Sequence, residues 1–228
     1  EGSLQLVTGS ARELIHSVTS SDIVTFTGSA STGLKLKSSP IITQNNVPFN
    51  LEADSLNATV LGQKAVPGTV EFDLFVKETV KEMTVKAGQK CTAVRRVIVP
   101  ENVLDEVQNA IAARLATVKM GDPAHEGVRM GALASMDQVK AVRQSVAELS
   151  KSQNIVFGDL DEYEVHGADK NKGAFFSPIL FRNENPFEAT ACHEIEAFGP
   201  VATIMPYKTM DDAIHLAKKV AQTDATVL

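Results

Sequence analysis

The residue with the greatest potential for covalent chemistry is Cys91, which lies in the segment KAGQKCTAVRR. Its thiolate would be a strong nucleophile, and the two lysines and two arginines of the same segment favour the ionised form. Gly88 precedes it closely, so the backbone can turn and present the sulfur to a cleft. Two alternatives stay open on composition alone. First, a lone cysteine is often a small buried residue and not a nucleophile. Second, some cations on the following strand point away from the sulfur, so they would not favour its ionised form.

Cys91 is predicted to lie between a helix and a strand, in a chain that alternates the two kinds of element. Residues 1–53 are predicted to form α/β units. They comprise a helix over residues 11–18, a strand over residues 23–26, the turn TGSASTG with a short helix, the loop SSPIITQNN, and a parallel strand over residues 47–53. With so few strands, this predicted sheet is truncated.

From Asp54 onward the apolar pattern changes and predicts a second unit, so two lobes are the simplest organisation. Its predicted elements are strands at ATVLG, AVRRVIVP, SPILF and VATIMPY, and helices over residues 71–86, 103–118, 135–149 and 210–221. The first of these helices should bury one face, because six side chains repeat at three- and four-residue spacing. They are Phe72, Phe75, Val76, Thr79, Val80 and Met83.

The composition favours a globular protein that binds a small molecule. Of the 228 residues, 43% are hydrophobic and 22% are charged, which is enough for one large core or two modest ones. A net charge of -6 argues against nucleic acid, and no apolar run is long enough to cross a membrane. Since the first residues lack the regions of a signal peptide, we expect a cytoplasmic protein.

The second cysteine, Cys192, is followed by His193, but two adjacent residues do not make a metal site. A metal shell needs further ligands at suitable spacing, which this sequence does not supply. A disulfide between Cys91 and Cys192 is disfavoured in an acidic cytoplasmic protein of this size. We therefore expect two free thiols and no metal.

Four ordered segments resemble the signatures of the aldehyde dehydrogenases: FTGS with a glycine four positions on, LEA, GQKC and EAFGPV. Over nearly the whole chain the sequence is similar to the PaaZ-type dehydrogenases of ring-opened aromatic acyl-CoA catabolism, on the segments EADSLN, VKAGQKCTAVRRVIVP, GDPAHEGVRMGAL and EAFGPVATIMP. The resemblance implies an α/β, aldehyde dehydrogenase-like fold. Residues 1–53 would be the C-terminal part of the NAD(P)-binding lobe. Residues 54–228 would be most of the catalytic lobe, incomplete at its C-terminus.

The resemblance also implies oxidation of an aldehyde by NADP or NAD, with NADP expected. Cys91 would attack the carbonyl carbon, a hydride would pass to the nicotinamide, and the remaining thioester would be hydrolysed. Glu52, which lies 39 residues earlier (91 minus 52), would activate the water, with Phe49 and Leu51 as part of an apolar surround. Taken alone, Glu52 would be a solvated acid at a strand end.

Five further residues are assigned to the cofactor by the resemblance. Gly28, Ser29 and Gly33 would form a turn at the diphosphate, at the N-terminus of a helix. Glu196 would bind the nicotinamide ribose hydroxyls, and Phe198 would contact the nicotinamide region. The alternatives are a turn that binds nothing, an acid before a turn, and a core aromatic residue.

The implied substrate is a CoA-linked semialdehyde from aromatic-acid catabolism, oxidised by a homo-oligomer. The basic residues near Cys91 would either meet the phosphates of CoA or form a solvated face; they are Lys86, Lys90, Arg95 and Arg96. One departure from the common family pattern is Ala53-Asp54-Ser55 after Glu52, where glycines are usual. That departure matches the PaaZ-like subgroup.

Three other functions remain open. A closely similar alternative is the semialdehyde dehydrogenase of the benzoyl-CoA epoxide route. Because the family's oxyanion-hole asparagine and ribose-binding lysine would lie upstream of this segment, the isolated chain would alternatively be a non-catalytic module. An acyltransferase that uses Cys91 is a third possibility, against which the FTGS and EAFGP segments argue.

Overall fold

A computed structural model describes residues 2–9 and 12–220. Contacts within the chain divide it into two compact units, Glu1–Asp54 and Ser55–Leu228. Each unit packs helices on parallel strands, which confirms the α/β class expected from the sequence. Among the described residues, no helix is long and apolar enough to cross a membrane.

The first unit is a parallel strand pair with short helices. After a 3-10 helix its elements are β1 (Val24–Gly28), α1 (Ala30–Lys37), α2 (Pro40–Gln44) and β2 (Phe49–Ala53). The predicted parallel pairing is confirmed, because β1 and β2 pair in parallel along their full length. The prediction of a loop at SSPIITQNN is wrong, since α2 forms there with a proline in its first turn, where the missing N–H costs nothing.

The 3-10 helix at the start of this unit spans Arg12–Ser17. It occupies most of the segment predicted as a helix over residues 11–18. Ala11 itself lies outside the described residues, as does the end of the helix predicted over residues 210–221.

The second unit contains a five-stranded sheet. Its strands are β3 (Asn57–Val60), β4 (Val94–Pro100), β7 (Asn154–Phe157), β8 (Ile179–Arg182) and β9 (Val201–Tyr207). Their order across the sheet is β3-β4-β9-β8-β7, and every neighbouring pair is parallel except β7 with β8. A separate short pair consists of β5 (Lys119–Met120) and β6 (Val128–Met130). The helices of this unit are α3 (Val70–Thr84), α4 (Leu104–Leu115), α5 (Met136–Leu149), α6 (Ala191–Glu194) and α7 (Met210–Lys218).

Strand β4 separates two layers of core. Val97 and Val99 pack with side chains of α3 and α4, whereas Ile98 packs with side chains of α7. Because successive side chains of a strand point to opposite faces, helices cover both faces of the sheet. The predicted apolar face of α3 is confirmed: five of its six side chains are buried, and Phe75 is partly buried.

Candidate functional site

Cys91 lies in a short loop between α3 and β4, as the sequence predicts. Helix α3 ends two residues before the predicted boundary, in a turn where Lys86, Ala87 and Gly88 have φ values of 54°, 52° and 70°. Left-handed backbone is unfavourable for a residue with a Cβ, so the surrounding structure must hold this turn. Glycine is required at the last position, because a Cβ on Gly88 would lie 2.3 Å from the carbonyl oxygen of Gly199.

The backbone on the C-terminal side of the loop is anchored by two polar side chains. Asn57 Nδ2 donates to the carbonyl oxygens of Cys91 at 2.6 Å and Ala93 at 3.1 Å. Ser55 Oγ donates to the same Cys91 carbonyl at 2.5 Å. Both side chains are buried, so water competes little for these bonds.

The two residues before the cysteine are held through their own side chains. Gln89 Nε2 donates to the Phe198 carbonyl at 3.1 Å, and Gln89 Oε1 accepts from the Ala134 N–H at 2.8 Å. Lys90 pairs with Glu82 at 2.5 Å, and these two side chains are 18% and 20% exposed. The positive charge beside the cysteine is therefore already neutralised by a fixed partner.

The two cysteines are both free but differ in their surroundings. The Cys91 side chain is exposed on the anchored loop. Cys192 is buried in the core with α7, and burial raises the pKa of its thiol to about 11. Of the two, Cys91 alone presents its sulfur to solvent.

Arg95 joins the loop of Cys91 to the EAFGP segment. Its guanidinium donates to the carbonyls of Gly88 at 2.8 Å and Gly199 at 2.6 Å. The same group lies 3.6 Å from the Glu196 carboxylate and 5.6 Å from the centre of the Phe198 ring. Burial lowers the pKa of Arg95, and the charge of Glu196 opposes that shift. The nucleophile candidate and the two EAFGP candidates thus belong to one hydrogen-bonded cluster.

Glu196 and Phe198 differ in exposure within this cluster. The Glu196 side chain is 13% exposed and also accepts from the Ser55 N–H at 3.2 Å. Phe198 is 38% exposed, so the alternative of a core aromatic residue is wrong. Its ring lines an open groove of about 690 Å³ together with Gln89 and Gln138.

In the first unit, Gly28 and Ser29 lie at the junction of β1 and α1. Ser29 is the N-cap of α1, and its hydroxyl accepts from the Thr32 N–H at 3.3 Å. The carboxylate of Asp54 accepts from the Ala30 N–H at 3.0 Å. Part of the anion-binding capacity of this helix N-terminus is therefore satisfied from within the chain.

Gly33 and Glu52 lie on different sides of β2. Gly33 is buried in α1, where a Cβ would lie 2.2 Å from Leu51 Cδ1, so glycine is needed there for helix–strand packing. Glu52 is exposed and neighbours Leu51 in the strand. Because strand side chains alternate, Phe49 and Leu51 point away from the face of Glu52. The prediction that these two residues surround the carboxylate is wrong.

The expectation of a solvated basic face or a phosphate contact is also wrong for two of the four cations. Arg95 is 4% exposed and Arg96 is fully buried. Arg96 donates to the Leu56 carbonyl at 2.8 Å and to the carbonyls of Leu216 at 2.8 Å and Ala217 at 3.1 Å. It therefore satisfies the last turn of α7 and is not available to a ligand.

His193 belongs to the same buried cluster as Arg96. Its Nδ1 lies 3.2 Å from Arg96 Nη1, and its Nε2 lies 2.9 Å from the Pro186 carbonyl oxygen. Burial lowers the pKa of His193 to about 4, so the ring is neutral at pH 7. In the part of the chain that the structure describes, no three histidine, cysteine or acidic side chains form a possible metal site.

Comparison with known proteins identifies the family. The model of the aldehyde dehydrogenase family matches residues 1–226, so this chain belongs to that family. The 3,4-dehydroadipyl-CoA semialdehyde dehydrogenase of Aromatoleum evansii is 43% identical over 218 residues, which are 96% of this chain and 42% of that protein. The chain therefore spans about two fifths of the length of this relative.

Solved structures show the same fold. Apo betaine aldehyde dehydrogenase from Staphylococcus aureus matches with a TM-score of 0.75 at 25% identity, over 87% of this chain and 38% of that chain. The same enzyme in complex with NAD+ matches with a TM-score of 0.72 at 24% identity, over 90% of this chain and 37% of that chain. The fold is thus a partial aldehyde dehydrogenase fold.

Proposed function

We propose that this chain is part of an NAD(P)-dependent aldehyde dehydrogenase in which Cys91 is the nucleophile. The supporting observation is an exposed thiol on a loop whose backbone is fixed on both sides of the cysteine. A nucleophile held in one place loses little freedom on reaching the transition state, which accelerates the reaction. Residues 1–53 would contribute to the cofactor lobe and residues 54–228 to the catalytic lobe.

In the proposed reaction the Cys91 thiolate adds to the aldehyde carbonyl carbon and forms a thiohemiacetal. Bound oxidised nicotinamide would supply the hydride acceptor for its oxidation to a thioester. Glu52 would then take a proton from water as that water adds to the thioester carbon. The bond to sulfur breaks, a carboxylate leaves, and Cys91 returns to its thiolate.

The residues proposed for the cofactor have side chains or backbone suited to its parts. A half-exposed aromatic ring at Phe198 can pack on a nicotinamide, and the nearby Glu196 carboxylate can accept from ribose hydroxyls. Gly28, Ser29 and the start of α1 would face the diphosphate, with Gly33 serving the packing behind them. NADP is the proposed cofactor by resemblance, whereas the solved betaine aldehyde dehydrogenase contains NAD+.

We infer a CoA-linked semialdehyde from aromatic-acid catabolism as the substrate, in a cytoplasmic homo-oligomer. The name of the Aromatoleum evansii relative, a CoA semialdehyde dehydrogenase, supports this substrate class. The alternative is the closely similar semialdehyde dehydrogenase of the benzoyl-CoA epoxide route. Comparing kcat/KM for the CoA semialdehydes of the two routes distinguishes the alternatives. Measuring kcat/KM for the CoA-free forms tests the CoA link, since loss of CoA should lower kcat/KM.

The proposed nucleophile is tested by alkylation of the 228-residue chain. We expect iodoacetamide at neutral pH to modify Cys91 much faster than Cys192, because only the first sulfur is exposed and the pKa of the second is raised to about 11. Peptide mapping by mass spectrometry measures both rates. Faster modification of Cys192 in the folded chain would reject Cys91 as the nucleophile.

The isolated chain should bind NADP and NAD weakly. It spans about two fifths of the relative's length, so contacts made by other parts of the enzyme are missing from the complex. Titration calorimetry should give a Kd above the micromolar range, which corresponds to less than about 8 kcal/mol of binding free energy. Micromolar or tighter binding would show that the residues named here suffice. Weak binding would agree with the chain acting as a non-catalytic module on its own.

A further inference from the structure

Ser55 and Asn57 are two polar residues that the proposed chemistry does not use. They lie two positions apart at the start of β3, and side chains two positions apart in an extended chain point the same way. Both reach the carbonyl oxygen of Cys91, and Asn57 reaches that of Ala93 as well. Ser55 is 6% exposed and Asn57 is 1% exposed, so both are buried. Two buried donors are thus committed to the peptide that follows the cysteine.

We propose that Asn57, assisted by Ser55, is a positioning residue that sets the direction of the Cys91 side chain. This inference rests on the proposed role of Cys91 as nucleophile. Fixing the carbonyls of residues 91 and 93 fixes the backbone dihedrals on the C-terminal side of Cys91. Arg95 fixes the Gly88 carbonyl on the other side. With both sides held, the thiol can vary its position only through its own side-chain rotation.

Ser55 has a second contact that reaches the cofactor candidates. Its N–H donates to the Glu196 carboxylate at 3.2 Å while its hydroxyl donates to the Cys91 carbonyl at 2.5 Å. One residue therefore connects the backbone of the nucleophile with the carboxylate proposed for the ribose. The distance between the thiol and a bound nicotinamide would depend on this connection.

The test variant is Asn57→Leu, which keeps the approximate size of the side chain and removes the bonds that its amide donates to the Cys91 and Ala93 carbonyls and to Ser55 Oγ. In an enzyme of the relatives' length that carries this chain, the single-turnover rate of hydride transfer should fall about 100-fold, the scale of a misplacement near 1 Å. The KM for the cofactor should stay unchanged, because Asn57 is not among the residues proposed to touch it. Loss of the single-turnover rate without loss of cofactor binding separates positioning from a general loss of structure.

The matched control is Asn183→Leu, because Asn183 is a buried asparagine of the same unit whose amide faces Cys192. It should lower stability without changing the rate of hydride transfer. Equal loss of rate in the two variants, or a folded Asn57→Leu protein with the original rate, would overturn the proposal.

Ser55 keeps the proposal testable if Asn57→Leu fails to fold. Ser55→Ala removes one donor and should slow hydride transfer up to about 10-fold, the worth of one such bond. Ser55→Thr keeps the hydroxyl and should restore most of the rate. Equal rates for the alanine and threonine variants would overturn the role of Ser55. Hydride transfer that survives Cys91→Ala would instead reject the proposed function itself.

Discussion

Arg96→Met should lower the free energy of unfolding by about 3–5 kcal/mol, because buried carbonyls lose hydrogen bonds to a charged donor that contribute roughly 1.5–3 kcal/mol each. Arg96 is fully buried and donates to carbonyls of Leu56, Leu216 and Ala217. The last carbonyls of a helix lack the usual partner within the helix, and methionine offers no donor to replace the guanidinium. The Leu216 carbonyl also accepts from the Lys219 N–H at 3.2 Å, so the loss falls mainly on the Leu56 and Ala217 carbonyls. Burial lowers the pKa of Arg96 to about 10, so the lost group is charged at neutral pH.

Urea unfolding of the 228-residue chain measures this loss, with the slope of the transition as a check on two-state behaviour. Arg182→Met is the matched control, because Arg182 lies on β8 in the same sheet but its side chain is 20% exposed. It pairs with Asp105 and, at 2.6 Å, with Glu184, whose side chains are 74% and 54% exposed, and such exposed pairs contribute roughly 0–1 kcal/mol each. Similar losses in the two variants would contradict the role assigned to Arg96.

The elements predicted well from the sequence are those whose own residues carry a clear signal, such as a continuous apolar run or a helix cap. The strand VATIMPY is found at Val201–Tyr207 with all seven residues buried, as a continuous apolar run in a parallel sheet requires. Helix α5 begins directly after Ser135, whose side chain caps it. In both cases a local pattern and the tertiary environment favour the same structure.

The elements that the sequence missed depend on partners elsewhere in the chain. Strand β7 (Asn154–Phe157) is a short antiparallel strand at the sheet edge, and its first two residues are exposed. It has no clear alternation of its own and forms because β8 offers a free edge. The short pair of β5 and β6 is equally dependent on long-range pairing.

The site shows the same division. The GQKC segment and its glycine predict the turn before Cys91, because both are local features. The sequence does not predict the burial of the adjacent Arg95 and Arg96. They lie on opposite sides of a strand, and each donates to carbonyls from distant segments. Asn57 is likewise an ordinary polar residue in the sequence, and only folding brings it to residue 91. Its position at the start of a buried strand is the one available signal.

The roles of Cys91 and Glu52 are separated by a burst experiment in an enzyme of the relatives' length. Glu52→Gln should retain a single-turnover burst of reduced cofactor, because hydride transfer precedes the step that needs the base. Steady-state turnover should fall by roughly 100-fold or more, the scale expected when a general base is lost. Cys91→Ala should lose both the burst and turnover, whereas Cys192→Ala should keep both.

The burst is informative because, in the proposed mechanism, it counts hydride transfer before hydrolysis of the thioester limits the rate. Normal turnover in Glu52→Gln would exclude Glu52 as the base. Loss of the burst together with turnover would show that Glu52 acts earlier, as the group that deprotonates Cys91. Glu52 is exposed on β2, so glutamine can replace it with little effect on folding, and urea unfolding of the variant verifies this. A defect confined to turnover in a stable protein would therefore assign Glu52 to hydrolysis of the thioester on Cys91.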